Sequence, residues 1–145
     1  MEHNATITVR AEARREDGEC ERIAYTVPGA FEQTAAGWAV VYAEPEESGM
    51  AGTQTRLDVA SGRAELTRAG AVSSRMVFSP GSAFTSLYET PYGRLRASVR
   101  AASLRARVGA GGALLRIEYE LELGGARSRH DLAVRVRLWE EDEER

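Results

Sequence analysis

The chain has 145 residues, a formal net charge of −3, 43% hydrophobic and 28% charged residues. That suffices for one domain with its own core, whereas no stretch approaches the ~20 apolar residues of a membrane-spanning helix. All 19 basic residues are arginine, which excludes mechanisms that need an amine nucleophile or a Schiff-base lysine.

Taken in chain order, Thr6 to Arg14 reads as a first strand with Ile7, Val9 and Ala11 inward. Glu16-Asp17-Gly18 is a hairpin turn of the Asp-Gly kind, and Glu19 to Val27 follows with Ile23, Tyr25 and Val27 on the apolar parity. Pro28-Gly29 is expected to end that strand, and residues 30–36 fit either a short helix or a strand edge. Trp38, Val40 and Tyr42 mark the next strand, closed by a Gly-, Pro-, Ser- and Glu-rich loop from Pro45 to Gly52 that reads as a mobile surface turn. Thr53, Thr55, Leu57 and Val59 alternate with Gln54, Arg56 and Asp58; Ser61-Gly62 then turns the chain into Arg63–Ala69. Val72, Ser74, Met76 and Phe78 come next, ahead of the turn Ser79-Pro80-Gly81. Ala83 to Thr90 and Arg94 to Arg100 form a hairpin around Pro91-Tyr92-Gly93.

The apolar parity slips between Val99 and Leu104, which places a bulge near Ala101–Ser103. Leu115, Ile117, Tyr119, Leu121 and Leu123 then alternate with Arg116, Glu118, Glu120 and Glu122. After Gly124-Gly125 the pattern returns as His130, Leu132, Val134, Val136 and Leu138. Successive strand side chains point to opposite faces, so each such segment has one dry and one wet face. Turns recur roughly every 8–14 residues and no long helix competes, which predicts an all-β antiparallel meander of about eight to ten strands. Such a sheet must hide its edges; closure into a single barrel does so most completely, and a two-sheet sandwich is the alternative. The barrel domain spans residues 1–139, and the like-charged run in 140–145 reads as an acidic disordered tail.

Arg68-Ala-Gly70, Phe78-Ser-Pro-Gly81 and the hairpin Tyr88-Glu-Thr90-Pro-Tyr-Gly93-Arg-Leu95 resemble the YwiB-like proteins, small bacterial domains of unknown function. The resemblance runs over about residues 5–138 and is sharpest from Leu66 to Leu95. It implies a closed or nearly closed calycin-like (lipocalin-like) β-barrel, and it brings no catalytic residues to carry over. The run of small residues from Ala97 to Ser103 and the acidic tail depart from the family's pattern.

The inward parity mixes large residues, among them Trp38, Tyr42, Leu57, Met76, Phe78, Leu95 and Tyr119, with the small Thr53, Thr55, Ser74, Ala97 and Ala106. A barrel of this size is either filled by its side chains or holds one small ligand. The ligand reading names Tyr42, Arg68, Met76, Phe78, Tyr88, Tyr119 and His130 as lumen residues. A two-residue turn at Gly124-Gly125 places Tyr119 directly opposite His130, either as polar handles for a ligand or hydrogen-bonded to each other near the barrel mouth. Arg68 shares parity with Ala64 and Leu66; inward, it needs a partner, a ligand carboxylate or phosphate, unless it packs over an aromatic ring or turns outward.

Arg94, Arg96, Arg100, Arg105, Arg107 and Arg116 form a stripe free of acidic residues, expected to be salt-bridged to neighbouring carboxylates rather than to nucleic acid, since few aromatics interleave. The carboxylates at alternating strand positions read as outward and solvated. Cys20 lies between Glu19 and Glu21, which argues against a reactive thiolate. No catalytic constellation, cofactor motif or metal-ligand cluster is found, and His3 is the only second histidine. The N-terminus shows no signal-peptide pattern and the cysteine is single, so a cytoplasmic, non-enzymatic binding protein is expected, monomeric or homodimeric and without membrane contact. A filled barrel that acts through its surface on a protein partner is the second reading.

Overall fold

The computed structural model describes residues 2–140, so all of the expected acidic tail (140–145) but Glu140 lies outside the described residues. Ten antiparallel strands make one sheet: β1 (Ala5–Arg15), β2 (Cys20–Gln33), β3 (Gly37–Ala43), β4 (Thr53–Ala60), β5 (Arg63–Gly70), β6 (Ser74–Phe78), β7 (Ala83–Thr90), β8 (Gly93–Gly109), β9 (Gly112–Leu123) and β10 (Ala126–Leu138). The strand order is β6-β5-β4-β3-β2-β1-β10-β9-β8-β7, so the first and last strands join β1 and β10 in the middle of the sheet. The sheet curls until β6 and β7 meet. There the ladder shrinks to one bridge, with Ser73 and Glu89 exchanging N–H···O bonds of 2.9 and 2.8 Å. Beside it the Ser86 hydroxyl donates to the Arg75 carbonyl at 2.7 Å. The barrel is therefore nearly closed, with its seam held by few bonds. No helix among the described residues is long and apolar enough to cross a membrane.

Alternation decides what faces inward. Along β4, Thr53, Thr55, Leu57 and Val59 are buried while Gln54, Arg56, Asp58 and Ala60 are not. Ile7, Val40, Leu57, Phe78, Val99, Leu115, Ile117 and Val134 fill the interior, essentially without solvent contact. Full burial of such a side chain contributes about 1.5–3 kcal/mol each, and together they supply the driving force for curling the sheet. Leu95 shares the inward parity but lies at the rim and is 44% exposed, because the barrel wall ends beside it.

Pro28-Gly29 does not end the second strand, and residues 30–33 continue it. Up to Gly29, β2 pairs with β1; from Ala30 to Gln33 it pairs with β3. The Pro-Gly step is a bend at which the partner changes, consistent with a residue that cannot donate and one that allows close backbone approach. A Cβ on Gly29 would lie 2.7 Å from Ile7 Cγ1. The bulge is where the parity slip puts it: the β8–β9 register shifts between Ala101 and Ser103. The Pro45–Gly52 loop differs from expectation. It holds a 3₁₀ turn at Glu46–Ser48, with Ser48 buried and its hydroxyl bonded to the Pro45 carbonyl at 2.8 Å.

Gly70 ends β5 at φ +126°, and an added Cβ would collide with the Gly52 carbonyl oxygen. Substitution Gly70→Ala should therefore cost about 1–3 kcal/mol of unfolding free energy, read from a urea melt. Gly81 shares a positive φ, +87°, but has no neighbour near its would-be Cβ, so its substitution meets the backbone strain without the collision. Equal urea midpoints for Gly70→Ala and Gly81→Ala would contradict this packing.

Candidate functional site

Residues that alternate inward leave a cavity of about 240 Å³ in the barrel lumen. Its apolar wall includes Val9, Ile23, Leu57, Leu66, Leu121 and Val134. Of the seven lumen residues expected from sequence, Tyr42, Arg68, Met76, Tyr88, Tyr119 and His130 line this one space. Phe78 sits behind them, wholly buried, with its ring 4.8 Å from that of Tyr119. Larger concavities exist on the outside, the largest about 910 Å³, but that groove is walled by Arg10, Arg22, Arg116 and Arg135 on the wet face of the sheet.

The polar end of the lumen is built around Glu44, which the sequence reading missed. It follows β3 by one residue and keeps the inward parity of Trp38, Val40 and Tyr42, so its side chain is fully shut off from solvent. A buried carboxylate must be hydrogen-bonded to be tolerated. Tyr25 on β2 donates to Glu44 Oε1 at 2.7 Å, and the fully buried Thr55 on β4 donates to Oε2. With its one proton committed there, Tyr25 accepts from the Tyr42 hydroxyl at 3.4 Å. Burial, reinforced by Tyr42, raises the Tyr25 pKa well above the ordinary range of a phenol. Burial likewise pushes Tyr42 up to about 12, with the Glu44 charge adding to it.

Arg68 points inward, as its parity allows, and packs over no aromatic ring; its side chain is 16% exposed. Its Nε lies 3.8 Å from Glu44 Oε2, an ion pair beyond hydrogen-bond range, and that Nε is buried without a hydrogen-bond partner. Across the β5–β6 ladder its register partner is Ser74, whose buried hydroxyl also lacks a partner.

Tyr119 and His130 are register partners, as the Gly124-Gly125 turn requires. They do not hydrogen-bond to each other. Their rings stack face to face, 4.8 Å apart and 5° from parallel, while His130 Nε2 pairs with the Ser128 hydroxyl at 2.7 Å. The registered pair brings two flat rings together on one face, so stacking replaces the expected bond. Burial pushes Tyr119 up to about 12, opposed by the nearby Arg68 charge and assisted by Tyr88. Burial also lowers the His130 pKa.

Ser48 and Met50 also line the cavity, so the loop read as a surface turn closes over the lumen. The arginine stripe departs from the expected salt-bridged face. Among the described residues, Arg116 pairs with Asp131 at 3.5 Å, whereas Arg94, Arg96, Arg100, Arg105 and Arg107 form no ion pair. Arg105 faces Arg116 across the ladder, and Glu122 pairs instead with Arg127 at 3.3 Å.

His130 binds protons less readily folded than unfolded, so the unfolded chain holds more protons below the ordinary pKa of 6.5. Its contribution to stability is complete above that value and is lost as pH falls toward the folded pKa. An NMR titration of His130 should show a midpoint below 6.5, and His130→Phe should lose less stability than wild type between neutral and mildly acidic pH. A His130 midpoint at or above the ordinary value would contradict this burial.

A family model described as "Domain of unknown function (DUF1934)" matches residues 7–133. Among solved structures, the crystal structure of the ywiB protein from Bacillus subtilis matches with a TM-score of 0.84 and 19% identity, covering 95% of this chain and 93% of that one. No curated protein matches the chain.

Proposed function

The chain belongs to the family described as Domain of unknown function (DUF1934), and from that premise we propose that it is a non-enzymatic binding protein that takes up a small, partly apolar ligand in its lumen. The observation that carries this reading is the 240 Å³ cavity itself, apolar over most of its wall and furnished at one end with Arg68, Tyr42, Tyr88, Tyr119 and His130. Ligand sites combine an apolar wall with a few polar groups that fix orientation. The volume falls below the roughly 300–1,000 Å³ of pockets for drug-sized ligands, and equals about eight waters' share of liquid. The ligand is accordingly small, of about eight to twelve non-hydrogen atoms. A cytoplasmic setting accords with the lone, exposed Cys20.

A second reading has its own observation. The outward arginines of β8 lack ion pairs among the described residues, and Arg105 and Arg116 face each other with like charge. Such a face favours an acidic protein surface, which would make the barrel a scaffold.

The two readings part at the methionines. Met50 and Met76 line the cavity. Labelled methionine methyls titrated with benzamide, a small neutral aromatic, should give saturable shifts at Met50 and Met76. Unchanged Met50 and Met76 signals up to millimolar benzamide would count against a lumen site.

A further inference from the structure

The lumen holds more hydrogen-bond donors than the protein satisfies. Among the described residues, the only polar partner of the Arg68 guanidinium is Glu44, at 3.8 Å and without a hydrogen bond. Arg68 Nε and Ser74 Oγ are both buried and both without a partner, and the two residues are directly opposite in the β5–β6 register. The Tyr88 and Tyr119 hydroxyls, on the same cavity, also have no hydrogen-bond partner among the described residues. The carboxylate nearby is already engaged: Glu44 takes bonds from Tyr25 and Thr55. Unmet donors beside a cation, with the carboxylate committed, call for an acceptor from outside the chain.

Resting on the lumen reading above, we propose that Arg68 is the anchoring group of that site, and that its ligand is a small monocarboxylate with an apolar or aromatic tail. A guanidinium is a planar fork of five N–H donors that matches a carboxylate in bidentate fashion. Glu44 limits the charge. It shares the single charge of Arg68 without taking a hydrogen bond from it, so a monoanion is held by the free N–H donors of Arg68 and by the tyrosine hydroxyls, while a dianion would set a further negative charge against the same one cation. The tail lies against Leu57, Leu66, Met76, Leu121 and Val134, which form the cavity's apolar side.

Benzoate and benzamide have nearly the same shape and differ in charge, so they separate this proposal from the one beneath it. Both are titrated into the wild-type protein at neutral pH, with the Met50 and Met76 methyl signals as the readout. Benzoate should bind about tenfold or more tighter than benzamide, in keeping with charge-assisted hydrogen bonds. Arg68→Met should abolish that preference, benzoate then binding no tighter than benzamide. Tyr88→Phe, a smaller change on the same cavity, should reduce it severalfold, so a poorly folded Arg68 variant does not block the test. Equal binding of the two probes by wild type would overturn the carboxylate proposal and leave the lumen reading standing. Failure of both to bind would overturn both.

Discussion

A carboxylate with no solvent contact governs the interior of this barrel. Burying Glu44 would be prohibitive on its own, since an unpaired buried charge costs far more than one buried apolar side chain contributes. The fold meets that cost by bringing Tyr25 from β2 and Thr55 from β4 onto the two oxygens of a residue at the end of β3. Three neighbouring strands are thereby fixed in register at one level of the barrel. Tyr42 is drawn into the same network, and Arg68 from β5 stands one step outside it. The apolar wall, the tyrosine cluster and the closing loop with Ser48 and Met50 are arranged around this polar floor.

Most of the fold was legible because the period of a strand is two. The alternation in β4, β9 and β10 gave the inward set, the glycine pair gave the Tyr119–His130 register, and the parity slip located the bulge at Ala101–Ser103. Features that depend on more than alternation were not legible. Pro28-Gly29 reads locally as a stop; whether a strand stops or bends depends on whether another strand is there to receive it, and β3 is. The 45–52 loop has surface composition, yet two of its residues face the cavity, because what covers a barrel end is decided by the barrel's diameter.

The candidate site was legible by halves. Parity alone gathers Tyr42, Arg68, Met76, Tyr88, Tyr119 and His130 onto one face, and the structure places all six around one cavity. Glu44 escaped because carboxylates on strands are usually solvated, although its parity with Tyr42 was there to be read. Its partners Tyr25 and Thr55 come from other strands and could be matched to it only in three dimensions. The stacking of Tyr119 on His130 likewise turns on side-chain rotation, which register does not specify.

Arg68 is where stability and binding pull apart. A guanidinium with a buried, orphaned Nε and a 3.8 Å ion pair contributes little to folding compared with one in a fully bonded pair. If Arg68 is kept for a ligand, its coupling to Glu44 is weak. A double-mutant cycle with Glu44→Gln and Arg68→Met, read by urea unfolding in the absence of ligand, isolates that coupling. A value below about 1 kcal/mol is expected. A coupling of about 3–5 kcal/mol, as for breaking a well-formed buried ion pair, would show instead that Arg68 serves the fold.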